Sequence, residues 1–201
     1  MHARQPSLFG WEEPSVDPRF GTARRLELSP GAWVDRVPGW VQGHERLFEA
    51  LRDGIAWHAS QREMYERMVD VPRLFARVPD DGTGHPVLEQ MRHALCRRYR
   101  RDLSQVTLSL YRDGRDSVAW HRDREVRELD DSVVAVVSLG GPRKFGLRPF
   151  GGGHARYFTV GWGDLVVMGG ACQRDWEHGV PKMRAAAPRL AVMFRPEGSG
   201  A

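Results

Sequence analysis

From residue 103 to residue 196 the chain runs as seven short stretches, 106–111, 117–121, 133–139, 144–150, 156–160, 164–168 and 189–194, separated by glycine, proline and aspartate. Successive side chains in a strand point to opposite faces, so each stretch offers one face to a core and one away from it. A series of such strands closes as a β-sandwich or jelly roll, and no repeat of fixed period suggests a propeller or solenoid. Two amphipathic helices precede it. Residues 43–57 carry Leu47, Phe48, Leu51 and Ile55 at helical spacing, and residues 87–100, introduced by Pro86, carry Leu88, Met91, Leu95 and Tyr99 on one face. The expected class is therefore α+β, mainly β, with the N-terminal helices packed on one sheet.

The rest of the N-terminal half is less regular. Residues 1–22, with Pro6, Gly10, Pro14 and Pro18, read as an irregular arm in which Leu8, Phe9 and Trp11 could dock; a single domain then fills 23–201, opening with a short strand at 25–28. Residues 59–85 lose all periodicity and gather Arg, Asp, Pro and Gly, which is the texture of a long loop and, at that length, of a functional lid.

Chemistry concentrates at Ser117-Val-Ala-Trp-His-Arg-Asp-Arg-Glu125. In an extended segment His121 and Asp123 share one face, roughly 7 Å apart, close enough to share a metal ion. Most isolated H-x-D triplets are solvated loop residues; a second histidine is what turns the pair into the 2-His-1-carboxylate set suited to non-haem Fe(II). His178, 57 residues after His121, is the candidate. Further on, alternation places Arg189, Ala191, Met193 and Arg195 on one face and Leu190, Val192 and Phe194 on the other. Two arginines on an edge strand are commonly solvated, but beside a metal set they suit an anionic dicarboxylate, which guanidinium groups clasp bidentately.

These stretches, with Leu110-Tyr-Arg-Asp-Gly-Arg-Asp116, Val136-Val-Ser-Leu-Gly140, Gly163-Asp-Leu-Val-Val-Met-Gly169 and Asp175-Trp-Glu-His-Gly-Val-Pro-Lys182, resemble the AlkB family of Fe(II)- and 2-oxoglutarate-dependent dioxygenases over residues 70–196. The resemblance implies a double-stranded β-helix, with Fe(II) held by His121, Asp123 and His178. It also implies 2-oxoglutarate held by Tyr111, Ser109, Arg189 and Arg195. Ser109 and Ala191 stand where the family usually has asparagine. The implied partner is alkylated DNA or RNA, single-stranded by analogy with members that share Asp116-Ser-Val and 175–182. The implied reaction hydroxylates an N-methyl group, as in 1-methyladenine or 3-methylcytosine, and releases formaldehyde. On the same reading 59–85 is a nucleotide-recognition lid entered at Val71-Pro-Arg-Leu74, with Arg73, Phe75 and Glu125 as substrate contacts; the family's aromatic pair is replaced by Arg77 and Val78.

Composition agrees without deciding. With 41% hydrophobic residues the chain can bury a sizeable core, and a charge of +4, almost all of its cations being arginine, suits an anionic partner. Cys96 and Cys172 are too few for a disulfide scaffold and lack C-x-x-C spacing, and no apolar run is long enough to span a membrane. A monomeric, cytoplasmic enzyme is expected. Two other readings remain: the same oxygenase acting on a protein or small molecule, and a silent nucleic-acid-binding module. For Glu125, a plain surface glutamate between Arg124 and Arg127 competes with base recognition, and Trp120 and Trp176 are expected in the core.

Overall fold

The computed structural model describes residues 12–64, 67–78 and 85–197, with the side chains of 60–64 and 67–71 left aside. In chain order the elements are β1 (Ser15–Val16), β2 (Arg24–Ser29), β3 (Ala32–Val37), β4 (Val41–Gln42), α1 (His44–Gly54), β5 (His58–Met64), β6 (Arg67–Arg77), α2 (Pro86–Tyr99) and β7 (Gln105–Tyr111). They continue with β8 (Val118–His121), β9 (Ser132–Gly140), β10 (Arg143–Pro149), β11 (Arg156–Val160), β12 (Asp164–Gly170), α3 (Cys172–Asp175), β13 (Trp176–Val180) and β14 (Arg189–Arg195). A large sheet in the order β2-β3-β12-β9-β14-β7-β6-β5 faces a small one in the order β11-β10-β13-β8, and every pairing is antiparallel. This is the jelly roll.

The alternation read from the sequence sorts the two faces of the large sheet. Leu108, Leu110, Val137, Leu139, Leu190, Val192 and Phe194 bury themselves against Leu47 and Leu51 of α1 and Met91 and Leu95 of α2. Each such side chain contributes roughly 1.5–3 kcal/mol by leaving water, so this layer fixes the helices on one face. The opposite face, with Tyr111, Val134, Val136 and Ala191, packs on Phe145, Leu147, Val160 and Trp176 of the small sheet. Strand β9 is central and covered on both sides, which explains its nearly unbroken apolar run.

Several expectations need correction. The second half of the N-terminal arm is not irregular: β1 pairs with β4, and Phe20 is buried and stacks on Trp40 at 5.4 Å. Trp40 donates from its indole N–H to the Asp17 carbonyl at 2.8 Å. A two-residue strand between prolines has no periodicity to read. Leu8, Phe9 and Trp11 lie outside the described residues. The supposed loop at 59–85 holds a β5–β6 hairpin that extends the large sheet through β6–β7, with β5 at the sheet's edge. Strands β3 and β13 were not anticipated either. Finally, Trp176 is buried as expected, whereas Trp120 is half-buried on the outer face of the small sheet.

Candidate active site

Strands β8 and β13 pair with His121 opposite His178, which brings the two imidazole centroids to 4.2 Å on the inner face of the small sheet. Asp123 follows the end of β8, and its backbone N–H donates to the Gln173 side-chain oxygen of α3 at 2.9 Å, a buried contact. That anchor turns the carboxylate inward. Its Oδ1 lies 3.5 Å from His121 Nε2 and 3.7 Å from His178 Nε2, and one donor atom from each of the three residues falls within 4.8 Å of the others. His121 Nδ1 sits 2.8 Å from the Ala119 carbonyl, so it carries the proton and Nε2 presents a lone pair.

Electrostatics favour the ligating forms. Burial, then the neighbouring His121, pushes His178 down to about 3, so the ring is neutral. Burial alone would raise the Asp123 carboxyl; Arg195 beside it, with His121 and His178, outweighs that effect and holds it well below the usual carboxylate range. A neutral imidazole at His178 and an ionised carboxylate at Asp123 are forms that bind a divalent cation without first losing protons. His178 Nδ1, buried and without a hydrogen-bond partner, is a further unpaired lone pair or donor in this cluster.

The opposite wall is β14. Arg195 donates from Nε to Asp123 Oδ2 and from Nη1 to Thr107 Oγ1, both at 2.8 Å. Arg189, six residues earlier, is 1% exposed and donates from Nη2 to Ser138 Oγ at 2.7 Å. Its Nε and Nη1 are buried without partners, and none of the ion pairs among the described residues involves it. Burial accordingly pulls its pKa below the usual arginine value. Leaving a guanidinium in this condition costs several kcal/mol, and an entering carboxylate would remove that cost. Tyr111 lies beside it, with the Arg189 guanidinium carbon 5.1 Å from the ring centroid.

One cleft between the sheets is lined by His121, His178, Arg189 and Arg195 together with Arg73, Ser109, Tyr111 and Ala191. Arg73 donates from Nε to Ser109 Oγ at 3.3 Å. Phe75 and Glu125 do not line it: Phe75 stands opposite Ser109 across β6 and β7 but is 38% exposed, and Glu125 is exposed in the turn after Asp123. Reading the sequence missed Thr107, Ser138 and Gln173. The first two were within reach, since alternation from Ser109 and pairing of β9 with β14 put them on the cleft face; Gln173, on a four-residue helix, carries no such signal.

The donor set thus fits a non-haem iron, and the two idle donors of the Arg189 guanidinium fit the distal carboxylate of a keto-dicarboxylic acid. Comparison with known proteins agrees. The 2OG-Fe(II) oxygenase superfamily matches residues 53–195. Human alpha-ketoglutarate-dependent dioxygenase alkB homolog 3 is 29% identical over 94% of this chain and 76% of its own length. Mouse DNA oxidative demethylase ALKBH2 is 31% identical over 75% of this chain and 74% of its own length. The solved structure of OsALKBH1 superposes with a TM-score of 0.61 at 14% identity, covering 87% of this chain and 100% of that one, which bears on the fold alone. The chain is an Fe(II)- and 2-oxoglutarate-dependent dioxygenase and belongs to the 2OG-Fe(II) oxygenase superfamily, among its AlkB-like members.

Proposed function

We propose that the enzyme oxidatively demethylates N-alkylated bases, 1-methyladenine and 3-methylcytosine among them, in single-stranded DNA or RNA, with release of formaldehyde. The observation that carries this reading is a buried guanidinium with two idle donors, Arg189, in the same cleft as His121, Asp123 and His178. The names of the relatives, a DNA oxidative demethylase and an alpha-ketoglutarate-dependent dioxygenase, support the substrate class.

In this account His121, Asp123 and His178 hold Fe(II), which when bound with 2-oxoglutarate and O₂ supplies the oxidising power for hydroxylating a methyl group. Arg189 takes the distal carboxylate of 2-oxoglutarate through its free Nε and Nη1, with Tyr111 and Ser109 alongside. Arg195 keeps the Asp123 carboxylate ionised and fixed. With these groups bound, the overall reaction would consume O₂ and 2-oxoglutarate and yield succinate, carbon dioxide and a hydroxylated methyl carbon. The resulting N-hydroxymethyl group then breaks its C–N bond, giving formaldehyde and the restored base.

The β5–β6 hairpin serves as the nucleotide lid: Arg73, which lines the cleft and bonds to Ser109, and Phe75, exposed opposite Ser109 on β7, are its contacts to the base. Glu125, on the turn beyond Asp123, accepts a hydrogen bond from the exocyclic amine of a cationic lesion. The enzyme works as a monomer in the cytoplasm, a compartment that suits its two free cysteines; no described helix is long and apolar enough to cross a membrane. Formaldehyde release from a methylated single strand, dependent on added iron and 2-oxoglutarate, tests the reading. A chain that consumes 2-oxoglutarate but never acts on a methylated strand would refute it.

A further inference from the structure

Behind the iron ligands, the same four strands present an outer face of a different character. Alternation that points His121, His178, Phe145 and Leu147 inward turns Trp120, Glu177, Lys144, Arg148 and Tyr157 outward. The outer face of an antiparallel sheet is ordinarily polar. Here aromatics occupy it. Trp120 and Tyr157 lie over Gly146, where an added Cβ would come within 2.5 Å of the indole and 2.9 Å of the phenol ring, so the glycine is what lets both rings lie down on the sheet. Their centroids are 6.2 Å apart, and Tyr157 is 51% exposed. Beyond the end of β10, Phe150 is 56% exposed.

Cations are interleaved with these rings. Arg148 sits 4.6 Å from the Trp120 centroid, Lys144 6.0 Å from that of Tyr157, and Arg122 3.7 Å from that of Phe150. The single carboxylate on the four strands, Glu177, is neutralised by Arg148 at 2.8 Å. Lys144 has no carboxylate partner in any ion pair among the described residues. An apolar protein partner would be poorly served by so many charges, and a duplex hides the faces of its bases. An unpaired strand offers both things this surface can use, base faces for the rings and phosphates for the cations.

The geometry points to the outer face of the small sheet, centred on Trp120, Tyr157, Phe150, Lys144, Arg122 and Arg148, as a second docking surface for single-stranded nucleic acid. It would hold nucleotides away from the target base without sequence preference, because every base has a face to stack. The inference rests on the nucleic-acid reading of the substrate, but it is measured without turnover.

The test is fluorescence anisotropy of the full chain with a labelled, unmodified oligothymidylate longer than about 16 nucleotides. Tyr157→Ala should weaken binding about 5-fold or more, and Lys144→Ala should lower the slope of log affinity against log salt by about 0.7. Both residues are exposed, so thermal melts should match wild type and turnover on a methylated trinucleotide, too short to reach the platform, should not change. Wild-type affinity and salt slope in both variants would overturn the platform while leaving demethylation intact. Weakened binding in a protein that never demethylates would support the platform and refute the function proposed above.

Discussion

Arg195, on the last strand of the large sheet, donates from Nε to Asp123 Oδ2 at 2.8 Å and so ties the carboxylate beside His121 and His178 to the opposite wall of the jelly roll. The contact leaves Oδ1 facing the two histidines. Removing such a supporting partner of a metal ligand typically costs 10- to 100-fold in metal affinity. Arg195→Leu should therefore weaken Mn(II) or Fe(II) binding by about that factor, read by titration of the free ion; unchanged affinity would mean that Gln173 alone suffices to place the carboxylate.

Arg189 differs from Arg195 in having no carboxylate, only Ser138 and two idle donors. Arg189→Ala should raise the 2-oxoglutarate requirement roughly 30-fold or more, the equivalent of about 2 kcal/mol or above for a charge-assisted pair. Arg189→Lys should recover little, since a point charge cannot reproduce the planar fork. Steady-state kinetics at varied 2-oxoglutarate decides it, and an unaltered apparent affinity in Arg189→Ala would move the clamp elsewhere.

Trp40 fastens the N-terminal segment to the body. It is fully buried, stacks on Phe20 and bonds to the Asp17 carbonyl. Trp40→Ala should cost about 3–5 kcal/mol of folding stability in a urea melt. A loss below about 1 kcal/mol would show that the segment is dispensable packing.

How much of this was legible follows from where each residue gets its constraint. Both arginines stood out because alternation acts along a strand, and a strand in a two-sheet core must obey it; His121 and Asp123 stood out by their spacing, although Asp123 lies just past the end of β8 and is turned inward by its contact with Gln173. His178 was visible as a residue but its strand was not: Trp176–Val180 is short, contains Gly179 and follows directly on a four-residue helix. Arg143 was hidden entirely. Lying in Gly-Gly-Pro-Arg it reads as turn material, yet it is fully buried and donates to the carbonyls of Asp113, Asp116 and Pro181, holding together the segments that lead into β8 and out of β13. Backbone acceptors have no sequence signature, so only the fold could reveal them. The β5–β6 hairpin escaped because Pro72 and the scattered charges of 59–77 break any readable alternation.

Strand preference follows from the cost of presenting a base. Extruding a paired base costs a few kcal/mol and an unpaired one much less. Single strands should be demethylated about 10-fold faster or more than matched duplexes at subsaturating concentration. Glu125→Ala should slow 3-methylcytosine and 1-methyladenine more than neutral 3-methylthymine. Equal rates on both strand forms, or an unchanged lesion preference, would remove the respective half of the argument.

The central claim is that iron held by His121, Asp123 and His178 couples 2-oxoglutarate consumption to removal of a methyl group from a nucleic-acid base. The most direct measurement is simultaneous quantification of succinate and formaldehyde from the purified chain supplied with Fe(II), 2-oxoglutarate, O₂ and a single strand bearing 3-methylcytosine, alongside Asp123→Ala and His178→Ala. The account predicts equal amounts of both products from wild type and neither from the variants, because losing one of three ligands leaves the metal weakly held and wrongly shaped. Wild-type turnover in either variant, or succinate without formaldehyde from every methylated strand, would contradict it.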